Sequence, residues 1–187
     1  MLVLPPNSRP LTILAIDPGT TTMGVAVMTW DTISPFFVVD YAFTITCSDR
    51  HPAYRAITDT HGSRTARFQQ QTDVLSGMLF DLNPNVVIAE SPYMGRFASA
   101  FGALTECMMN IRTTLMDYDP TMLLDQIDPT SIKAMLGVPR KKMKDKEEVR
   151  KRLRQRQDLY WKTDIDTLDE HAVDAVGVGL YYFVNIV

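Results

Sequence analysis

Cysteine is scarce in this 187-residue chain: Cys47 and Cys107 are the only two, and they stand far apart. That number and spacing exclude a disulfide framework and the short cysteine pairs of a zinc ribbon. Long hydrophobic runs are also absent. No apolar stretch reaches the roughly 18 residues a transmembrane helix needs, so no membrane association is expected. The apolar start is broken by Pro5, Pro6, Asn7 and Ser8 before any basic segment, which is not the pattern of a secretory signal. A reducing, cytoplasmic location is the expectation. No internal repeat and no long Pro/Gly/Ser-rich linker divides the sequence, so residues 1–187 are expected to form a single domain. With 45% hydrophobic and 22% charged residues, the composition excludes disorder and fibre.

Charge is unevenly placed. Residues 133–156 carry eleven Lys/Arg against three acids, a local balance of +8 in a chain whose total is -3. The remainder therefore carries -11, and the positive charge is concentrated in one late segment. A charge run is ordinarily a solvated helix face, with Lys146, Glu147, Glu148, Arg150 and Lys151 paired along it. Eleven cations exceed what solubility of one helix requires, and phosphate contact is the better account.

Hydrophobic patterning gives the expected elements. Three β-rich runs at 11–16, 23–30 and 36–45 are joined by short turns and read as an antiparallel meander. Residues 46–63 read as loop, with His51, Asp59 and His61 solvated. Apolar residues at Phe68, Val74, Leu75, Met78, Leu79 and Leu82 predict a helix over 64–82, ended by Asn83-Pro84. Residues 85–90 form a short, wholly apolar run up to Glu90, the mark of a strand buried on both faces. A helix over 97–117, a strand over 121–127 and a helix start at Asp128-Pro129-Thr130 follow. The basic segment is expected to be mostly helical after Lys144, and 169–184 predicts a strongly apolar final helix. The order βββαβαβα implies an α/β fold with a mixed five-stranded sheet flanked by helices.

Acidic residues sit where such a sheet gathers ligands. Asp17 follows the first strand and Glu90 ends the fourth. On the final helix His171 and Asp174 are three apart and share a face, and Glu170 lies four before Asp174. Singly, each has an ordinary structural reading: a turn for Asp17-Pro18-Gly19, a solvated carboxylate for Glu90, a core histidine for His171. Together, converging carboxylates call for a divalent cation. Two such ions about 3.5–4 Å apart form the clamp used for in-line phosphodiester displacement.

Four stretches, in order, resemble the RuvC-type Holliday-junction resolvases of the RNase H-like (retroviral integrase) superfamily. They are Ile13-Leu-Ala-Ile-Asp17-Pro-Gly19 with the following Thr-Thr-Thr-Met-Gly24-Val-Ala-Val; Pro84-Asn-Val-Val-Ile-Ala-Glu90; Ile132-Lys133-Ala-Met-Leu-Gly137 with Lys146-Glu-Glu-Val149; and Glu170-His171-Ala-Val-Asp174-Ala175. The resemblance implies an RNase H-like fold and a structure-selective endonuclease that cuts branched DNA. It implies Asp17, Glu90, His171 and Asp174 as metal-holding catalytic residues, with Mg²⁺ or Mn²⁺ as cofactor, two ions per site. Many members carry an acid where His171 stands, and imidazole suits Mn²⁺ better than Mg²⁺; Glu170 is the alternative fourth ligand. An aromatic three residues beyond the family's glutamate stacks on bases near the crossover, and Tyr93 holds that position. DNA contact is further implied for Arg96, Lys133, Lys142, Lys144 and Lys146, the last also as a candidate beside the scissile phosphate.

Cutting two symmetric strands implies a homodimer, for which the helix at 97–117, with Ala98, Ala100, Ala103, Met108 and Met109, is a candidate interface. The compact, divergent sequence points to a phage or other viral source. Three alternatives stand beside this reading. One is an RNase H-like nuclease of RNA processing, and another a junction-binding protein that does not cut. The third is an actin-like ATPase lobe, suggested by Asp17-Pro-Gly-Thr-Thr-Thr, but that architecture needs two lobes and about twice this length.

Overall fold

A computed structural model describes residues 9–31, 33–95, 97–139, 141 and 146–186. Its centre is a strand whose side chains are buried to both sides. In β1 (Leu11–Asp17), Ile13, Leu14, Ala15 and Ile16 are all fully buried. Because strand side chains alternate, Ile13 and Ala15 enter one apolar layer and Leu14 and Ile16 the other. Each such large side chain contributes about 1.5–3 kcal/mol by leaving water.

β2 (Thr22–Trp30) and β3 (Phe37–Thr46) continue from β1 as an antiparallel meander. After two helices, α1 (Arg55–His61) and α2 (Ser63–Leu82), β4 (Val86–Glu90) returns parallel to β1 on its other side. α2 ends where Asn83 takes a left-handed conformation ahead of Pro84. Asn85 then ties the strands together: its side-chain oxygen accepts from the Thr12 N–H and its own N–H donates to the Thr12 carbonyl, both at 2.8 Å. α3 (Ala98–Tyr118) leads to β5 (Leu124–Ile127), parallel to β4. α4 (Pro129–Met135) starts as expected, with Asp128 accepting from the Ser131 N–H and Pro129 in the first turn. α5 (Lys146–Arg154), β6 (Leu159–Trp161) and α6 (Glu170–Asn185) complete the order.

The mixed sheet runs β5-β4-β1-β2-β3-β6, with α2 and α3 over one face and α4, α5 and α6 over the other. It has six strands where five were expected. β6 is the additional one: three residues parallel to the start of β3, too short to make an apolar run. The expected loop over 46–63 contains a 3-10 turn at Pro52–Tyr54 and the helix α1, neither of which buries a residue. An element without a buried face leaves no apolar period to read. The order is thus βββααβαβααβα. No helix among the described residues is long and apolar enough to cross a membrane.

Two close approaches set α6 on the sheet. A Cβ on Gly179 would stand 2.6 Å from Met28 Sδ and 3.1 Å from Ala15 Cβ, so only glycine lets the helix lie this near. At the other end, a Cβ on Gly24 would stand 2.0 Å from the His171 carbonyl oxygen.

Candidate active site

Asp17 and Glu90 leave neighbouring parallel strands at the same edge, because Ile16 pairs with Ala89 in the β1–β4 register. Gly24 is the β2 partner of Asp17, and its missing side chain admits the first turn of α6 directly beside that carboxylate. Asp169 caps this turn, accepting from the Ala172 N–H at 2.9 Å and from the Thr44 hydroxyl at 2.5 Å. His171 then reaches Asp17, with Nδ1 and Oδ2 at 2.9 Å and both side chains largely buried.

The Asp17 carboxylate accepts from Nδ1, and Nε2 stands 3.0 Å from Thr22 Oγ1, accepting its hydroxyl proton in the neutral ring and donating to it in the protonated one. Glu170 Oε1 lies 3.8 Å from Nε2. Both imidazole nitrogens are therefore engaged, and His171 can ligate an ion only by exchanging one of these bonds.

Glu90 shows how acidic the cleft is. Its carboxyl is pushed up to about 8, first by burial and then by the charges of Asp17 and Asp174, with Asp128 adding and Lys133 opposing. The structure thus puts His171 in contact with Asp17, and Asp17, Asp174 and Lys133 within electrostatic reach of Glu90. Among the described residues, no group of three or more His, Cys, Asp or Glu side chains is placed to hold a metal ion. The donor set nevertheless has the chemistry that a hard divalent cation takes: carboxylate oxygens from three elements, of which Glu90 holds a proton near neutrality chiefly because it is buried, with Asp17 and Asp174 adding to the shift.

Tyr93 is 62% exposed and stands between two recesses. One is lined by Pro18, Glu90 and Leu104, the other by Pro129, Thr130 and Lys133. An exposed aromatic thus flanks the acidic cleft on the side of the lysine. Arg96, Lys142 and Lys144 lie outside the described residues; Lys146 opens α5, and its side chain is likewise outside them.

The basic segment is less available than its charge count implied. Arg150 is 15% exposed and donates to the carbonyls of Ile165 (2.5 Å) and Leu168 (2.9 Å), with Glu147 at 3.6 Å. Arg152 pairs with the buried Glu148 at 3.0 Å, Arg154 with Asp166, and Arg156 with Asp158. Four of its arginines therefore brace α5 and the turns before α6. In α3, Met108 belongs to the core, whereas Met109, Ala98 and Ala100 are exposed.

Reading by motif placed Thr22 and Gly24 only within a resembling stretch and Asp128 only at a helix start, and it missed the polar group that Arg67, Gln71 and Cys107 form behind the Asp17 turn. For Gln71 a signal existed: it is four before Leu75 and eight before Leu79, a polar residue on the apolar stripe of α2.

No protein-family model and no curated protein sequence matches the chain. Solved structures do. A Thermus thermophilus RuvC in complex with a Holliday junction substrate superposes with a TM-score of 0.65 at 16% identity, over 92% of this chain and 95% of that one. The fold is RuvC-type. A second T. thermophilus RuvC structure gives a TM-score of 0.63 at 18% identity with the same coverage. The yeast mitochondrial Holliday junction resolvase gives 0.62 at 11% identity, over 91% of this chain and 76% of that one. In this RuvC-type sheet, β1 and β4 are the strands that carry Asp17 and Glu90, and α6 is the helix laid across their ends.

Proposed function

We propose that the protein is a structure-selective endonuclease that resolves four-way and related branched DNA junctions by metal-dependent phosphodiester hydrolysis, acting as one nuclease domain. The observation that carries this reading is the convergence of Asp17, Glu90 and the α6 residues His171 and Asp174 at the strand ends of a RuvC-type sheet. The T. thermophilus RuvC structure solved with a Holliday junction substrate supports the substrate class. Asp17, Glu90 and Asp174 would hold Mg²⁺ or Mn²⁺, with His171 or Glu170 as the fourth donor. Bound there, a divalent ion pair supplies an activated water and charge stabilisation for the leaving oxygen.

The chain's own residues do the remaining work. Tyr93 offers an exposed ring against which a base can stack. Lys133, beside Glu90, supplies positive charge for the developing phosphorane. Arg96, Lys142, Lys144 and Lys146 are assigned to the phosphates of the junction arms. Two symmetric cuts require two sites, so the working form is assigned as a homodimer.

The test uses labelled four-way junction, flap, duplex and RNA–DNA hybrid in Mg²⁺ or Mn²⁺. Paired cuts on the junction are expected. Asp17→Asn should abolish them while leaving junction binding in place, because it removes a metal donor and no group that touches phosphate. Full cleavage by Asp17→Asn in both metals overturns the site. Preferential cutting of the RNA hybrid assigns the protein instead to RNA processing, and binding without cutting assigns it to junction recognition alone.

A further inference from the structure

The turn after Asp17 is held from behind with unusual completeness. Gln71 Nε2 donates to the Gly19 carbonyl at 2.7 Å, and Cys107 Sγ donates to the same oxygen at 3.6 Å. Arg67 Nε donates to the Thr20 carbonyl at 3.0 Å, and the Cys47 N–H donates to the Thr21 carbonyl at 2.8 Å. Three successive carbonyls are thus drawn inward by groups from α2, α3 and the end of β3. Gln71 makes the shortest of these bonds to the Gly19 carbonyl and is fully buried.

Its position is an apolar one by every local rule. It shares the stripe of Leu75 and Leu79, where a leucine or methionine would pack without the desolvation cost of an amide. The amide's bond to Gly19 is what the site gains in return. Pro18 has a fixed φ, peptide bonds are planar, and a Cβ on Gly19 would lie 2.1 Å from the Thr22 carbonyl oxygen. With the Gly19 carbonyl pinned as well, little backbone freedom remains between Asp17 and Thr22.

We propose that Gln71 is a positioning residue for Asp17: by fixing the Gly19 peptide it sets the direction in which the Asp17 carboxylate meets a divalent cation. This rests on the metal-dependent reading of the site. Gln71 touches no substrate and acts only through the turn.

The experiment compares the full-length wild type with Gln71→Met, which keeps length and volume but removes the amide, and Gln71→Asn, which withdraws the amide by one methylene. Thermal unfolding reports folding, Mn²⁺ calorimetry without DNA reports affinity for the ion alone, and junction binding in EDTA reports DNA contact. Both variants should bind junctions as the wild type does, while Mn²⁺ affinity falls by about tenfold or more, the range for losing a group that orients a metal ligand. The Mn²⁺ concentration needed for half-maximal cleavage should rise in parallel. Unchanged Mn²⁺ affinity in either folded variant overturns the proposal. Failure of both variants to fold also overturns it, since Gln71 would then serve the core. A wild type that neither binds Mn²⁺ nor cuts refutes instead the nuclease reading on which the proposal stands.

Discussion

Replacing Glu90 with glutamine should change how the metal-free protein responds to pH. In the fold the Glu90 carboxyl titrates at about 8 against an ordinary 4.5, because burial and the neighbouring Asp17 and Asp174 disfavour its charge. Between those values the folded protein holds a proton that the unfolded chain has released. Stability tied to that proton is present in full below the ordinary value and is lost as pH rises through the folded one. The slope cannot exceed about 1.4 kcal/mol per pH unit for one group.

Glu90→Gln removes the group and its slope. Urea unfolding in EDTA, repeated between about pH 5 and pH 8, should show the wild type losing stability relative to Glu90→Gln. Glutamine is expected to be the more stable form at the alkaline end, even as it abolishes cleavage. Saturating Mn²⁺ should reverse the order, since an ion that binds only the folded form stabilises it, and Mn²⁺ uptake near neutrality should release a proton in the wild type alone. Parallel curves for the two proteins in EDTA would refute the idea that Glu90 is a protonated acid among ionised ones.

Gly24→Ala should push the first turn of α6 off β2, because its Cβ would fall 2.0 Å from the His171 oxygen. The expected cost is about 1–3 kcal/mol in chemical denaturation, with a loss of cleavage at full occupancy of the folded state. Arg150→Ala should cost about 3 kcal/mol by stripping a part-buried charged donor from two carbonyls. A melting curve identical to wild type would show that α5 is held by its apolar face alone. Replacing Lys133, Lys142, Lys144 and Lys146 with alanine should weaken junction binding and flatten its salt dependence by roughly 0.9 log unit per log salt for each phosphate no longer neutralised. A wild-type salt slope would remove the basic segment from the DNA-binding surface.

What was legible in the sequence follows from burial. β1 and β4 are buried on both faces and read as continuous apolar runs, so the acids at their ends could be placed before any fold was known. α6 declared itself by its apolar face and by the acids of its first turn. β6 and α1 did not, one because three residues make no period, the other because it buries nothing. The charge count of 133–156 could not show which arginines are engaged, because spacing along α5 does not reveal that Asp158, Ile165, Asp166 and Leu168 supply partners for those of 150–156. Nor could any local pattern show that His171 would spend both ring nitrogens on Asp17 and Thr22, partners about 150 residues away in sequence.

That separation has a consequence during synthesis. A nascent chain that has emerged through β4 already holds the strands that set Asp17 and Glu90 side by side, but the face that α6 covers is still bare. Two adjacent carboxylates without the turn that brings His171 and Asp174 make a poor cation site, and contacts spanning so much sequence form late in folding. On the proposed metal-dependent reading, the ability to capture an ion would thus arrive with the docking of α6, in the same event that buries the second apolar layer. Ion binding would then be a report of completed folding, and a partly made chain would carry no assembled cation site.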